Sequence, residues 1–338
     1  MKSLFYPSYG QLVVNEQPVP DIEADEALIK VSACGICGSE LETFASRSER
    51  RKPPRIMGHE FCGVVAETGS QVTGVEKGAR VVSNSIVSCG KCIYCQKGET
   101  NLCRNREVFG MHRNGAFAEY VNVPAHCLIP MPDNVDFRAA CLTEPLANGV
   151  HMVGLTRHLA LNRVLILGAG PIGLMAQQAF QALRNVKTVV SDLKNERLEA
   201  AKRLGAEHVI NPGMVDIEEV IMALTSGEGV DLVIDAVGME VTNSQGLRLL
   251  RAGGTLLMIG LHQNSKPFQS YDIILTEKKI MGSYAATQED MITALNLIAT
   301  DKVDLTSWIN YYPLSDGVAA FMNMQASDNE QIKSVILM

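Results

Sequence analysis

Positive charge is in short supply in this 338-residue chain: 30 Lys and Arg stand against 37 Asp and Glu, for a net charge of -7. That balance argues against a general nucleic-acid or anionic-membrane binder, whose affinity is carried by a surplus of cations. A long apolar run is missing too. The uncharged stretch from Val164 to Leu183 is broken by Gly168, Gly170, Pro171 and Gly173 and carries several glutamines, so no membrane span is expected. Near the start, Pro7 and Gly10 interrupt the apolar residues, which predicts no secretion signal and hence a cytoplasmic protein. Repeats at solenoid or propeller periods and low-complexity tracts are lacking, so those architectures carry no weight.

The chain has ample material for a core, with 46% hydrophobic and 20% charged residues and a mean hydropathy of +0.07. At roughly 150 residues per domain, two domains are expected. Cysteine is the first pointer to chemistry. Nine in a long chain without a secretion signal, an odd number, suggest metal ligands and buried thiols rather than a disulfide framework.

To about Val150, apolar residues come in short, often alternating runs: Ala27 to Val31, Phe61 to Ala66, Ala79 to Val82 and Phe117 to Val123. Period-two alternation punctuated by Gly and Pro predicts mostly antiparallel β structure. Beyond Arg163 the pattern changes. Continuous apolar runs (Val164 to Leu167, Thr188 to Val190, Leu232 to Ile234, Thr255 to Ile259) alternate with helical periods at Ile172 to Leu183 and Glu196 to Leu204. Strands apolar on both faces and separated by helices predict a parallel sheet in βαβ units. The last fifty or so residues hold a helix-like Asp290 to Ala299 and a terminal Val335 to Met338, and can return to the first domain.

Arg163-Val-Leu-Ile-Leu-Gly168-Ala-Gly170-Pro171-Ile172-Gly173-Leu reads as a strand entering GxGxxG and then a helix. Gly168 permits the tight turn, Gly170 lets backbone approach a pyrophosphate, and Gly173 allows close helix packing, with Pro171 and Ile172 opening the helix. Asp192 follows about twenty residues on, at the end of the next apolar run. A carboxylate there accepts bonds from ribose hydroxyls and repels a 2′-phosphate, which predicts NAD, although Lys194 and Arg197 lie close enough to keep NADP open.

Cys89-Gly-Lys-Cys92-Ile-Tyr-Cys95 and, farther on, Cys103 place four thiols in one short loop. Four thiolates close a tetrahedral shell, so a zinc held there is structural. A second constellation is scattered: Cys37, His59 with Glu60, and Glu144 before Pro145. Mixed sulfur, nitrogen and oxygen ligands from separate loops suit a catalytic zinc with an open position. The plainer readings are an interior histidine, a helix-starting Glu144, and a redox pair in Cys34-Gly-Ile-Cys37.

On these residues, together with Gly58-His59-Glu60, Cys37-Gly-Ser39 and Gly115-Ala-Phe-Ala-Glu-Tyr120, the chain resembles the zinc-dependent medium-chain dehydrogenases, nearest in pattern to the polyol branch that includes sorbitol dehydrogenase. The resemblance covers essentially the whole chain. It implies α/β plus β architecture: a GroES-like catalytic domain over residues 1–147 and 287–338, with a structural zinc lobe, and an inserted doubly wound Rossmann domain over 148–286 that binds NAD. It further implies Cys37, His59 and Glu60 as ligands of a catalytic zinc, Glu144 as an exchangeable or water-mediated ligand, and a homodimer or homotetramer. Two positions depart from the family. Glu40 stands where relatives usually have Asp, and Glu42 where many have a proton-relay histidine.

The implied reaction oxidises a secondary alcohol to a ketone with NAD as hydride acceptor. Ser39 is then the candidate to take the hydroxyl proton, with Glu60, Glu144 or Glu42 as carboxylate relay. Arg47-Ser-Glu-Arg50-Arg51-Lys-Pro-Pro-Arg55 concentrates cations in an acidic chain, and guanidinium groups bind phosphate or carboxylate in bidentate fashion. Arg47, Arg50 and Arg51 thus suggest a phosphorylated polyol or a sugar acid, against the plain alternative of a solvated loop or subunit contact. A threonine dehydrogenase-like oxidation shares the same zinc and NAD motifs. A non-catalytic binding module is the remaining alternative, opposed by the retained open-site ligands.

Overall fold

In the computed structural model, which describes residues 1–263, 268–326 and 330–338, Ala27, Ile29, Val31 and Ala33 of the strand Glu26–Gly35 are all buried. Alternation of this kind lets one strand face a core with every second side chain. Burying a Val or Ile side chain stabilises by about 1.5–3 kcal/mol, and this strand sits at the centre of its sheet. The chain divides into two units, Met1–Ala147 with Ala286–Met338, and Asn148–Ala285.

In the first unit the strands run in the order Leu128–Pro130, Arg80–Ser83, Glu60–Thr68, Glu26–Gly35, Lys333–Leu337 and Ile309–Pro313, while Tyr120–Pro124 also pairs with Glu26–Gly35. All these pairings are antiparallel except that of the last two strands. The register matters for the site. Gly35 pairs with Glu60, so the end of one strand meets the start of the next at the point where Cys37 and His59 follow and precede them. The C-terminal strand flanks the same end, pairing Val335 with Gly35, and Ile36 N–H donates to Ser334 O at 2.9 Å. Lys333 therefore comes to lie beside Cys37. A small sheet, Val13–Glu16, Lys2–Tyr6 and Arg55–Ile56, adds to this unit.

The second unit holds a parallel sheet in the order His208–Ile210, Lys187–Ser191, Arg163–Leu167, Val230–Asp235, Leu250–Met258, Lys279–Gly282. In sequence order this is 3-2-1-4-5-6, the doubly wound dinucleotide fold. Val164, Leu165 and Ile166 are fully buried, as the central strand of such a sheet requires. The helix Pro171–Arg184 follows directly, with Gly170 as N-cap, Pro171 at its first turn and Asn185 at φ 50° closing it. A Cβ on Gly173 would stand 1.8 Å from Gly168 O, so only glycine lets this helix pack on the turn. No helix among the described residues is long and apolar enough to cross a membrane.

Candidate active site

Cys37 caps the helix Gly38–Ala45, and the carboxylate of Glu40, one turn in, accepts the Cys37 backbone N–H at 3.1 Å. Reciprocal caps of this type fix the first turn of a helix and hence the aim of the capping side chain. Glu40 does more than cap. Its Oε1 accepts the Gly58 N–H at 2.7 Å and faces His59 Nδ1 at 3.1 Å. With Nδ1 committed to Glu40, the lone pair of Nε2 is left for a metal. Burial pushes the Glu40 carboxyl up, but the His59 ring and the Arg51 guanidinium hold it down at about 2.

One ligand atom each from Cys37, His59 and Glu60 lies within 4.8 Å of the others. Glu60 and Lys333 form a fully buried ion pair, and Lys333 Nζ also donates to Ile36 O at 2.8 Å. A Cβ on Gly35 would strike Glu60 Oε2 at 2.1 Å, so glycine there makes room for the carboxylate. Burial disfavours a charged His59 ring, but Glu40 and Cys37 raise its pKa well above the ordinary imidazole value. A metal taking that nitrogen must displace a proton.

Glu144 opens the helix Thr143–Leu155, is buried, and accepts a hydrogen bond from Ser85 Oγ at 2.7 Å. It stands outside the close group of three. Burial raises its pKa and Glu60 adds to that, with His59 and Ser85 opposing. Ser39 Oγ donates to Cys37 Sγ at 3.4 Å, which puts a hydroxyl against the cluster. Glu42 is exposed and makes no described hydrogen bond to Ser39.

The cation-rich loop calls for a correction. Arg51 is 1% exposed and donates to Gly110 O at 2.8 Å, Ser39 O at 2.9 Å and Thr43 Oγ1 at 2.6 Å. It ties the Cys37 helix to the turn at Gly110 and, being buried with Nε and Nη1 given to interior acceptors, is not presented to an anionic substrate. Arg47 and Arg50 are exposed, and Lys52 pairs with Glu49. Cys34 sits in the apolar core while Cys37 faces His59, which disfavours a CxxC redox pair.

Cys89, Cys92, Cys95 and Cys103 form the second close group, with Sγ separations of 4.0 Å for Cys89 to Cys95 and 3.5 Å for Cys92 to Cys95. A tetrahedron with zinc–sulfur bonds of about 2.3 Å has edges of about 3.8 Å, so the thiols already have the spacing of a closed zinc shell. Backbone N–H groups, that of Cys95 foremost, lower the Cys92 thiol to about 6, while burial raises Cys95 to about 11. All nine cysteines are free thiols.

In the second unit, Gly168 has φ 97° and its N–H donates to Ser191 O at 2.7 Å, which brings the glycine turn against the next strand end. Asp192 accepts Ala169 N–H at 2.8 Å and Lys194 N–H at 2.9 Å, and Arg197 Nη1 stands 3.7 Å away. The acidic residue is thereby fixed at the glycine turn, with a cation beside it.

Residues 23–133 match the alcohol dehydrogenase GroES-like domain and residues 171–300 the zinc-binding dehydrogenase domain. The chain is 33% identical over 335 residues to a D-arabitol-phosphate dehydrogenase of Enterococcus avium (98% of this chain, 95% of the relative). It is 34% identical over 335 residues to a sorbitol dehydrogenase of Halalkalibacterium halodurans (97% of each). An L-threonine 3-dehydrogenase of Bacillus velezensis is 36% identical over 309 residues (90% and 89%). Among solved structures, a zinc-binding dehydrogenase from Sinorhizobium meliloti bound to NADP superposes with a TM-score of 0.91 at 33% identity, covering 100% and 99%. An alcohol dehydrogenase from E. coli complexed with NADH gives 0.93 at 28%, covering 100% and 99%. The chain belongs to the zinc-dependent medium-chain dehydrogenases, and within them to the polyol branch. It is an oxidoreductase that acts on a small molecule.

The sequence left three contributors unassigned. Glu40 was visible only as a departure from Asp, and its spacing from Cys37 is the signal that a capping box offers. Lys333 and Ser85 had no signal, being brought to the site by strands far apart in sequence.

Proposed function

We propose that the chain oxidises a secondary alcohol of a polyol, a sugar alcohol or its phosphate to a ketone, with NAD as hydride acceptor. The observation that carries this reading is the convergence of Cys37, His59 and Glu60 at one sheet end. The donor set fits zinc: one thiolate, one imidazole with its second nitrogen oriented by a carboxylate, and one carboxylate balanced by a buried ammonium. These three residues hold a catalytic zinc with Glu144 in reserve, and the four-cysteine loop holds a structural one. When bound, zinc is a Lewis acid that lowers the pKa of bound water from about 16 to about 7, and the nicotinamide takes up hydride.

The remaining work falls to the chain itself. Glu40 fixes the His59 tautomer, and Lys333 anchors Glu60. Ser39, whose hydroxyl retains acceptor lone pairs, accepts the proton of the substrate hydroxyl as it gives up its own onward to solvent. Glu42, exposed on the same helix as Ser39, is a carboxylate by which that proton can reach solvent. Gly168, Gly170, Pro171, Ile172 and Gly173 cradle the cofactor pyrophosphate at a helix N-terminus, and Asp192 takes the adenosine ribose. The bound NADP and NADH of the two structural relatives leave cofactor choice to these residues, and Asp192 favours NAD despite Arg197.

A second reading, oxidation of L-threonine, is favoured by the 36% identity to a relative of that name. A coupled assay on zinc-loaded protein decides: polyols, polyol phosphates, sugar acids and threonine, each with NAD and NADP, alongside zinc counts per chain. The proposal expects two zincs and NAD-dependent polyol turnover. Turnover of threonine alone, or one zinc per chain, overturns it.

A further inference from the structure

Asp235 ends the strand Val230–Asp235, beside Arg163–Leu167, and its fully buried carboxylate accepts N–H and O–H donors from the loop that follows. Its Oδ1 accepts Val237 N–H and Gly238 N–H, both at 2.9 Å, and its Oδ2 accepts the Thr242 hydroxyl at 2.7 Å. The Thr242 oxygen in turn accepts Met239 N–H at 3.1 Å, while Ala236 N–H donates to Leu167 O at 2.9 Å. Every backbone N–H of 236–239 is thereby tied down. The Asp235 carbonyl extends the stitching to the next strand end, accepting Ile259 N–H and Gly260 N–H at 3.0 Å. Close packing follows. A Cβ on Gly168 would stand 2.7 Å from Val237 Cγ2, and one on Gly260 would stand 2.2 Å from the Val237 carbonyl carbon. The loop thus rests on the glycine turn itself.

Burying a carboxylate is costly unless donors satisfy it, and here three donors converge on it from one short segment. The strand order reverses between Arg163–Leu167 and Val230–Asp235, and ligands of doubly wound sheets sit beyond the strand ends at that point. Each half of such a sheet serves one half of a dinucleotide. Asp192, after Lys187–Ser191, belongs to the adenosine half, which leaves the 236–239 loop to the other. Ala236, Val237 and Met239 are only half-buried, so the loop keeps a face free. We propose that Asp235 is a positioning residue that sets this loop as the wall for the nicotinamide half of the cofactor. The inference rests on the reading of the chain as a nicotinamide-dinucleotide enzyme. Without the carboxylate the loop must be re-ordered on binding, whereas the glycine turn keeps its own bonds to Ser191 and Asp192.

The test titrates the full-length chain with NADH, followed by its fluorescence, and with ADP, which carries the adenosine and pyrophosphate alone, followed by calorimetry. It compares wild type, Asp235→Ala, Thr242→Val and Thr242→Ser, each with its Tm. Fixing the backbone of even one released residue is costly enough to weaken NADH binding about tenfold. Asp235→Ala and Thr242→Val are expected to show that loss for NADH and to bind ADP as wild type does. Thr242→Ser, which keeps the hydroxyl, should bind both as wild type does. A folded Asp235→Ala protein with wild-type NADH affinity overturns the proposal, as does a parallel loss of NADH and ADP, which would mark a merely structural role. If Asp235→Ala does not fold, the same two outcomes are read from Thr242→Val. A wild type that binds no NADH defeats the dinucleotide reading itself, a result distinct from variants that bind both ligands normally.

Discussion

Glu40 accepts two backbone N–H groups and faces His59, so one carboxylate sets the cap of Cys37, the turn at Gly58 and the imidazole tautomer. Partners of metal-bound histidine typically matter by about 10–100-fold in metal affinity. Glu40→Gln should therefore weaken zinc binding by about that factor, read by chelator competition on folded protein, and an unchanged affinity would refute the orienting role. Lys333 invites a different experiment. Removing one partner of a buried ion pair leaves an uncompensated charge and costs about 3–5 kcal/mol. Lys333→Met should lower stability to denaturant by about that amount, and a loss near zero would mean that Glu60 finds another partner. These two residues also mark how far the site could be read beforehand. Cys37, His59, Glu60 and Glu144 stand out because their residue types and local contexts are unusual. Lys333, 273 positions from Glu60, opens an otherwise ordinary apolar strand and looks in sequence like its solvated end.

At the scale of elements, the strands that sequence patterns reveal are the ones buried in the middle of sheets. Arg163–Leu167 and Lys187–Ser191 carry unbroken apolar runs because helices cover both faces. Short edge strands such as His208–Ile210 and Lys279–Gly282 are more exposed and carry too few apolar residues for a periodic signal. The Arg47 to Arg55 segment misleads for another reason. Composition reports that cations are present but not that one of them, Arg51, turns inward to carbonyls. Polar groups also join adjacent strands. Asp231, on Val230–Asp235, accepts Arg251 Nε at 2.7 Å and the N–H groups of Asn162 and Arg163 at 2.8 and 3.1 Å. Burial raises its pKa, but Arg251 and those N–H groups outweigh that and hold it below the usual value. A carboxyl depressed in the folded state stabilises above its unfolded pKa, and that contribution is lost as pH falls through the folded one. Wild type should therefore exceed Asp231→Asn in stability at neutral pH, with the gap narrowing from about pH 4 downward. A gap that stays constant to about pH 2 would show that the charge contributes nothing.

For the molecule as a whole, the nine cysteines divide by environment. Four converge in the loop with the edges of a thiolate tetrahedron, Cys37 faces His59, and Cys34, Cys62, Cys127 and Cys141 are buried. The two metal groups differ in kind, which predicts an ordered response of the whole protein to metal removal. The loop offers a closed shell of four thiolates and few other forces, since Cys92 caps and Cys95 sits within a helix of only four residues, Ile93–Gln96, with nothing buried. Its metal is therefore expected to supply much of the local folding energy. The Cys37 group is built on sheet ends already secured by the Glu26–Gly35 and Glu60–Thr68 pairing, and by Glu40, Arg51 and Lys333. It should keep its shape without metal, and an open shell exposes the ion to a competing ligand. Titration with a chelator should thus proceed in two stages. One zinc per chain leaves first with full loss of turnover and a nearly unchanged Tm, and added zinc restores activity. The second leaves under harsher conditions with a fall in Tm and protease cleavage confined to the segment from Cys89 to Cys103. Loss of both metals in one step, or a fall in Tm accompanying the first, would mean that the catalytic group is not preorganised by the sheet.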